Sequence, residues 1–384
     1  MKKNNKKTVA NSANRSKEAG TKTRRNVLAD EVAEVDYSQA RLLTKAAGIQ
    51  VPGADDISVV ASTIQTDAEG KIKAMWTRRV RSQAARQEMF LQAVKKVIAK
   101  YTRPPRIKIP TRLNKDLLAV YPLGDPHVGL YAWEQETGNA FDLQICERIM
   151  KAAIDDLVAR APAAETALLV DLGDFFHADN ASNQTARSGN VLDVDTRWGK
   201  VFETGIRIMA YQIEALLKKH RYVRVIVEIG NHDDHTSVAL MRTVQALFHH
   251  EPRVSFDDSP QKFHYFVFGN TLIGVTHGDT VKMKDLPGIM ATDRAKDWGK
   301  TRYRFWLVGH VHHHKSEEFP GATVEYFRTL AARDAWHHNS GYRALRDQQV
   351  WTIDREYGVI RKEFADIARI EDLVKARSRR KRLH

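Results

Sequence analysis

Five short apolar runs, each ending beside a glycine and a residue that can bind a metal, constrain this chain more than any other feature. They are DLLAVYPLGD (116–125), TALLVDLGD (166–174), YVRVIVEIGN (222–231), TLIGVTHGD (271–279) and RFWLVGH (304–310). Runs of this length bounded by turn formers read as strands. Between the first three lie LQICERIMKAAIDDLVARA and VFETGIRIMAYQIEALLKKH, which have helical spacing, so the pattern predicts an α/β layered fold. In such sheets the strands' carboxyl ends open into the crevice where ligands bind, so the five endings are expected to converge. Glycine beside each candidate ligand lets the chain turn sharply and lets backbone approach a metal or phosphate closely.

The residues at those endings are Asp125 and His127 in GDPHVG, Asp174 and His177 in GDFFH, and Asn231, His232 and Asp233 in GNHD. His277 follows in THGD, and His310 and His312 in GHVH. Carboxylate, amide oxygen and imidazole suit divalent Mn, Fe, Zn or Mg. Cys146 is the only cysteine, which excludes an internal disulfide and a thiolate-rich site. Two such ions roughly 3.5 to 4 Å apart can lower the pKa of a bridging water, orient it and stabilise charge on a phosphoryl group. The mixture therefore predicts phosphoester hydrolysis without a covalent protein nucleophile. An isolated DxH or GxH is ordinarily a loop, and the ordered set of five is what carries the reading. Within VGHVHHHKS, His310 and His312 share strand parity and point together, leaving His313 and His314 as bystanders. His337 and His338 in AWHHNSG read as surface loop, as do His249 and His250 at a helix end.

With those residues in that order, over roughly 120–315, the sequence resembles the calcineurin-like metallophosphoesterase superfamily, whose motifs run DxH, GD, GNH(D/E), H and GHxH. The resemblance implies a β-sandwich flanked by helices. It implies one metal on Asp125, His127 and His312, a second on Asn231, His277 and His310, and Asp174 bridging both. His232 would then be the histidine that stabilises the transition state or protonates the leaving oxygen, and Asp233 would orient its neighbours. GDFFHADN carries no arginine where Ser/Thr protein phosphatases have one, and GDxFH followed by GNHD is similar to the Mre11/SbcD-like nuclease branch. That branch implies that His177 helps position a DNA phosphate. VVASTIQTDAEGKIKAMW, EPRVSFDDSP and TLAARDAWHHNSGYRALRD resemble metallophosphoesterases encoded by tailed phages and prophages. The chain departs from the nuclease branch in its long N-terminal extension and in lacking an obvious capping segment.

Charge bears on the partner. Residues 1–25 carry nine Lys/Arg against Glu18, and residues 375–384 carry six with no acid, which together equal the net charge of +14. A further basic block spans Lys71 to Lys115 with Glu88 its only acid, so the rest of the chain is net acidic. Basic arms around an acidic centre suit a polyanion held near cations, with nucleic acid the expected partner, although such arms also serve as solvated ends. Residues 1–28 read as a disordered basic tail. Residues 29–110 read as a small α+β module: a hairpin turning at Asp67–Gly70, a basic amphipathic helix from Trp76 to Tyr101, and a proline-rich linker. A metallophosphoesterase domain over 116–368 and a basic tail over 369–384 complete the expected order. No apolar stretch suits a signal peptide or a membrane span, which predicts a cytoplasmic protein, in the bacterial host's cytoplasm if phage-encoded. The expected activity is a two-metal phosphodiesterase, foremost a DNA nuclease with Mn. The alternatives are a small-molecule phosphomonoesterase or cyclic-nucleotide phosphodiesterase, and a non-catalytic nucleic-acid-binding or phage assembly protein.

Overall fold

The computed structural model describes residues 57–66, 72–81, 92, 95, 107–179, 183–185 and 189–382. The chain divides into two units, 1–82 and 83–384. In the first, β1 (Ile57–Thr66) and β2 (Ile72–Arg81) pair antiparallel, Ile57 opposite Arg81 and Thr63 opposite Trp76. Trp76 to Arg81 is therefore strand and not the start of the expected helix. Trp76 and Val80 are four residues apart, which is both one helical turn and an even number of strand steps, so apolar spacing alone cannot separate the two. Of the remainder of that helix only Gln92 and Lys95 are described, and both are helical. The expected tail over 1–28, the helical stretch SQARLLTKAAGI and the Asp67–Gly70 turn lie outside the described residues.

The second unit is two mixed sheets flanked by helices, as the resemblance implied. One sheet runs β13-β12-β3-β4-β5-β6, built from β3 (Asn114–Leu123), β4 (Ala164–Asp171), β5 (Tyr222–Val227), β6 (Val254–Phe256), β12 (Asp347–Asp354) and β13 (Gly358–Asp366). The other runs β10-β11-β9-β8-β7, built from β7 (His264–Phe268), β8 (Thr271–Thr276), β9 (Tyr303–Val308), β10 (Lys315–Phe319) and β11 (Ala322–Tyr326). β3, β4 and β5 are mutually parallel, and so are β8 and β9. All five runs singled out in the sequence are thus strands, and within each sheet their carboxyl ends share one edge.

Alternation along these strands sorts side chains into layers. Leu118, Val120, Leu168, Val170 and Ile226 meet Ile273, Val275, Leu307, Trp351 and Ile353 between the sheets. Tyr121, Leu169 and Val225 face the other way, under α1 (Leu143–Arg160), α2 (Trp198–Leu217) and α3 (Thr236–Leu247). On the far side, Leu272, Trp306 and Val308 are covered by Leu286 and Met290 of α4 (Leu286–Asp293). Central strands buried on both faces explain why their sequences are nearly continuous apolar runs. The basic segment expected as a tail from residue 369 is helical: α6 spans Ile367–Arg382, and Ile370 is buried against the same core as α1. Among the described residues, no helix is long and apolar enough to cross a membrane.

Candidate metal centre

Each candidate ligand sits within four residues of a strand's carboxyl end: Asp125 after β3, Asp174 after β4, Asn231 after β5, His277 after β8, and His310 and His312 after β9. The chain turns so abruptly there that Asp125, His127, Asp174, His310 and His312 all adopt positive φ, between 43° and 72°. Non-glycine residues hold that conformation only where surrounding bonds force it, and such strain gathers at functional sites. The forcing bonds are visible. His127 N donates to Asp174 O at 3.0 Å, Val128 N to Phe175 O at 2.7 Å, and His177 N to Val128 O at 3.1 Å, lacing the first two loops together. Thr329 Oγ1 donates to Asp125 O at 2.6 Å from the far side. Two glycines let the loops close: a Cβ at Gly230 would strike the Asp174 carboxylate, and one at Gly309 would strike Asp125 Oδ1 and the Leu172 carbonyl.

The structure brings the sequence candidates into three overlapping groups: Asp125, His127 and His312; Asp174, His277 and His310; and His127, His177 and His232. In the first, His312 Nε2 lies 3.0 Å from His127 Nε2 and 2.9 Å from Asp125 Oδ2. Both Asp125 oxygens are buried; Oδ1 has no hydrogen-bond partner, and Oδ2 is met by the His312 ring. Burying a carboxylate that way costs several kcal/mol unless positive charge answers it, which a cation held with the two imidazoles does. In the second group, His277 Nδ1 donates to Leu172 O at 2.8 Å, which fixes the tautomer and aims Nε2 at Asn231 Oδ1 (3.0 Å) and Asp174 Oδ2 (3.2 Å). A lone pair facing two oxygens needs a proton or a metal between them. The residues present therefore fit divalent ions in both groups.

Electrostatics agree. Burial lowers the His127 imidazole, and the neighbouring His232, His312 and His177 rings lower it further, so it stays neutral with a lone pair to offer. Burial would lower His277 and raise Asp174, but each holds the other in its charged form: His277 rises well above its ordinary value and Asp174 falls well below. That pair marks a place where positive charge is favoured, which a metal would supply in the proton's stead.

His232 and His177 stack at 5.5 Å beside these groups. His232 Nδ1 donates to His177 O at 2.8 Å, leaving Nε2 toward the site, 3.9 Å from Asp174 Oδ2, while His232 N donates to Asp174 Oδ1 at 2.8 Å. His177 is pushed down to about 3 by burial and by His232, and its buried Nε2 has no partner. Asp233 points away from the candidate ligands. It accepts from Phe176 N (2.9 Å), Gly230 N (3.1 Å) and Ser237 Oγ (2.5 Å), and is raised to about 7 by burial and by Asp174.

His337 was expected on the surface and is not free of the site. It stacks on His312 at 4.9 Å and is held by Asp334, whose carboxylate accepts from both His337 N (2.8 Å) and Nδ1 (2.7 Å). Asp334 is the N-cap of α5 (Ala335–Asn339), and a D-x-x-H spacing was the available signal. His314 pairs with Glu325 at 3.1 Å, His313 is exposed, and so are His249 and His250.

No protein-family model matches this sequence, and no curated protein matches it. Among solved structures, it is similar to an uncharacterised Streptococcus pneumoniae protein described as a predicted phosphoesterase, with TM-score 0.29 and 13% identity over 66% of this chain and 91% of that one. It is also similar to an archaeal phosphodiesterase (TM-score 0.33, 12% identity, 65% and 99% covered). A third is the NAD nucleotidase of Haemophilus influenzae (0.35, 10%, 68% and 56%). At these TM-scores the likeness carries no argument about activity.

Proposed function

We propose that this chain is a two-metal-dependent phosphodiester hydrolase acting on nucleic acid, foremost DNA. The observation that carries this reading is the buried Asp125 carboxylate, its Oδ1 unpartnered, facing His127 and His312 beside a second set centred on Asp174 and His277. Asp125, His127 and His312 would hold one ion, Asn231, His277 and His310 the other, with Asp174 shared between them. Manganese is the expected metal for such oxygen and imidazole donors, with Fe, Zn or Mg as alternatives. Bound there, the ions would polarise the phosphoryl group and activate water.

The chain's own residues supply the remainder. Because the His177 carbonyl can only accept, His232 keeps one proton on Nδ1; when the ring carries a second proton, it sits on Nε2, and that N–H is the group that would stabilise phosphoryl charge or pass its proton to the leaving oxygen. His177, neutral and with Nε2 unpartnered, is suited to a phosphate oxygen. Asp233 acts at one remove, holding the Gly230 turn and the Phe176 backbone. A purely structural metal site has no use for a proton-carrying His232, which argues against the non-catalytic reading. Nucleic acid as partner is supported by the basic ends of the sequence.

The test is a substrate panel with Mn: single- and double-stranded DNA, RNA, and bis-p-nitrophenyl phosphate, against an Asp174→Asn control. Mn-dependent cleavage that the control loses is expected. Failure on every diester would sink the assignment, and turnover of phosphomonoesters alone would replace it with a phosphomonoesterase.

A further inference from the structure

The segment from Arg333 to Arg346 forms a rim that the hydrolytic reading leaves unexplained. His337 extends the cluster outward from His312, and Trp336 and Tyr342 pack edge-on against His337 at 4.9 and 5.1 Å. The two outer rings lie 5.7 Å apart, tilted by 40°, and remain 53% and 37% exposed. Large aromatic rings left this open, with their backs held by other rings, are costly to solvate and offer flat faces to a ligand. Tyr342 also lines a narrow cleft of about 30 Å³ whose walls include His312, His337, Arg333 and Arg346.

The rim's charge points the same way. Several arginines elsewhere are matched to acids, as in Arg160 with Asp156, Arg207 with Glu147 and Arg369 with Asp156, although Arg304 rests on carbonyls. In the rim, Arg333 donates to Tyr342 O, Arg343 to His338 O and Tyr342 O, and Arg346 to Leu330 O. Among the described residues, none of these three guanidiniums has a carboxylate within ion-pair distance. Asp334, next to Arg333, is occupied by His337, and Asp347, next to Arg346, by Arg328. Backbone carbonyls fix Arg333 and Arg343 without neutralising them, which leaves two positive charges for an outside anion, whereas Arg346 is half-buried over Phe141 and near Glu371.

We propose that this rim is a subsite for single-stranded nucleic acid: one unstacked base lies against Trp336 and Tyr342, and flanking phosphates meet Arg343 and Arg333. The proposal rests on the hydrolase reading in so far as it places that base next to a scissile phosphate at the metal centre. A duplex keeps its bases inside the stack and cannot use such a platform without unpairing.

Binding is measured on the full chain in EDTA, by fluorescence anisotropy, with an oligo-dT strand and an abasic strand of equal length. The chain should prefer oligo-dT by about tenfold, the scale of one base stacked on an aromatic ring. Trp336→Ala and Tyr342→Ala should each bring that ratio toward one, and Trp336→Phe should keep most of it. Equal affinity of the unaltered chain for the two strands overturns the subsite, as does a folded Trp336→Ala that keeps the preference. Since no metal is present, a ratio of one leaves the hydrolase reading standing, and a failed hydrolysis assay leaves the ratio intact.

Discussion

The strand-end floor around Asp125 and Asp174 and the rim from Arg333 to Arg346 meet where His337 stacks on His312, yet different forces hold them. The floor is buried, five of its residues sit at positive φ, and its loops are laced by backbone bonds from parallel strands. The rim is a short helix capped by Asp334, with exposed rings and guanidiniums resting on carbonyls. A floor built that way cannot shift without breaking several bonds at once, so it suits chemistry that needs fixed geometry. A rim built that way can change its side chains at little cost to the fold, so it suits choice of substrate. Floor substitutions should therefore lower turnover or stability, and rim substitutions should lower affinity.

The largest effect is expected at His232. Removing the ring in His232→Ala should cut kcat about 10²- to 10⁴-fold, while calorimetric metal titration stays close to the unaltered chain because His232 is outside both proposed ligand sets. If Trp336→Ala lowers kcat as far, the division between floor and rim fails. Gly230→Ala comes next. Its Cβ would press on the Asp174 carboxylate and backbone, and relief requires moving a proposed ligand. Metal affinity should fall about tenfold or more, with a lower melting temperature; an unchanged titration would mean that the floor is softer than its bonding implies.

A third test reaches the floor from beneath. His264 on β7 lies 3.1 Å from Glu228, just past β5, and 3.5 Å from Asp257. Burial would lower its imidazole, but those two carboxylates win and raise it to about 9. Its unfolded value is roughly 6.5. The stabilisation is thus fully present below about pH 6.5 and drains away as pH climbs through 9, on the order of 3 kcal/mol in all. Urea unfolding in EDTA should show that decline, and His264→Gln should flatten it. A decline that survives the substitution would assign the loss to another group.

The same division explains what could be read from the sequence. The placing of the floor was legible because each candidate ligand follows an apolar strand after one to four residues, so local pattern alone brings these residues to one edge. The rim was not, because what makes His337 part of the site is His312, a partner made close only by folding. His337 and Trp336 alone look like any loop. The hairpin was half legible: ISVVASTIQT and IKAMW read as strands, but Trp76 and Val80 fit either period, and the pairing of Ile57 with Arg81 decided it. α6 was hidden by composition, since one buried Ile370 is easily lost among Lys and Arg.

The smallest expected effect separates the rim's two components. Arg343 is exposed and bonded only through Nη1 to carbonyls, so its charge should act on a nucleic acid as one phosphate contact. On single strands each such contact contributes about 0.7 to the slope of log affinity against log salt. Arg343→Ala should therefore make that slope shallower by about 0.7, weaken binding a few-fold at low salt, and leave the preference for oligo-dT over an abasic strand unchanged. Trp336→Ala should do the reverse, erasing the preference while keeping the slope. Stacking is a contact with a base and counterion release is a contact with a phosphate, so each variant moves one readout without the other. If both move together in either variant, the rim is a single loop that orders on binding, and the contrast with the rigid floor becomes one of order rather than of division of labour.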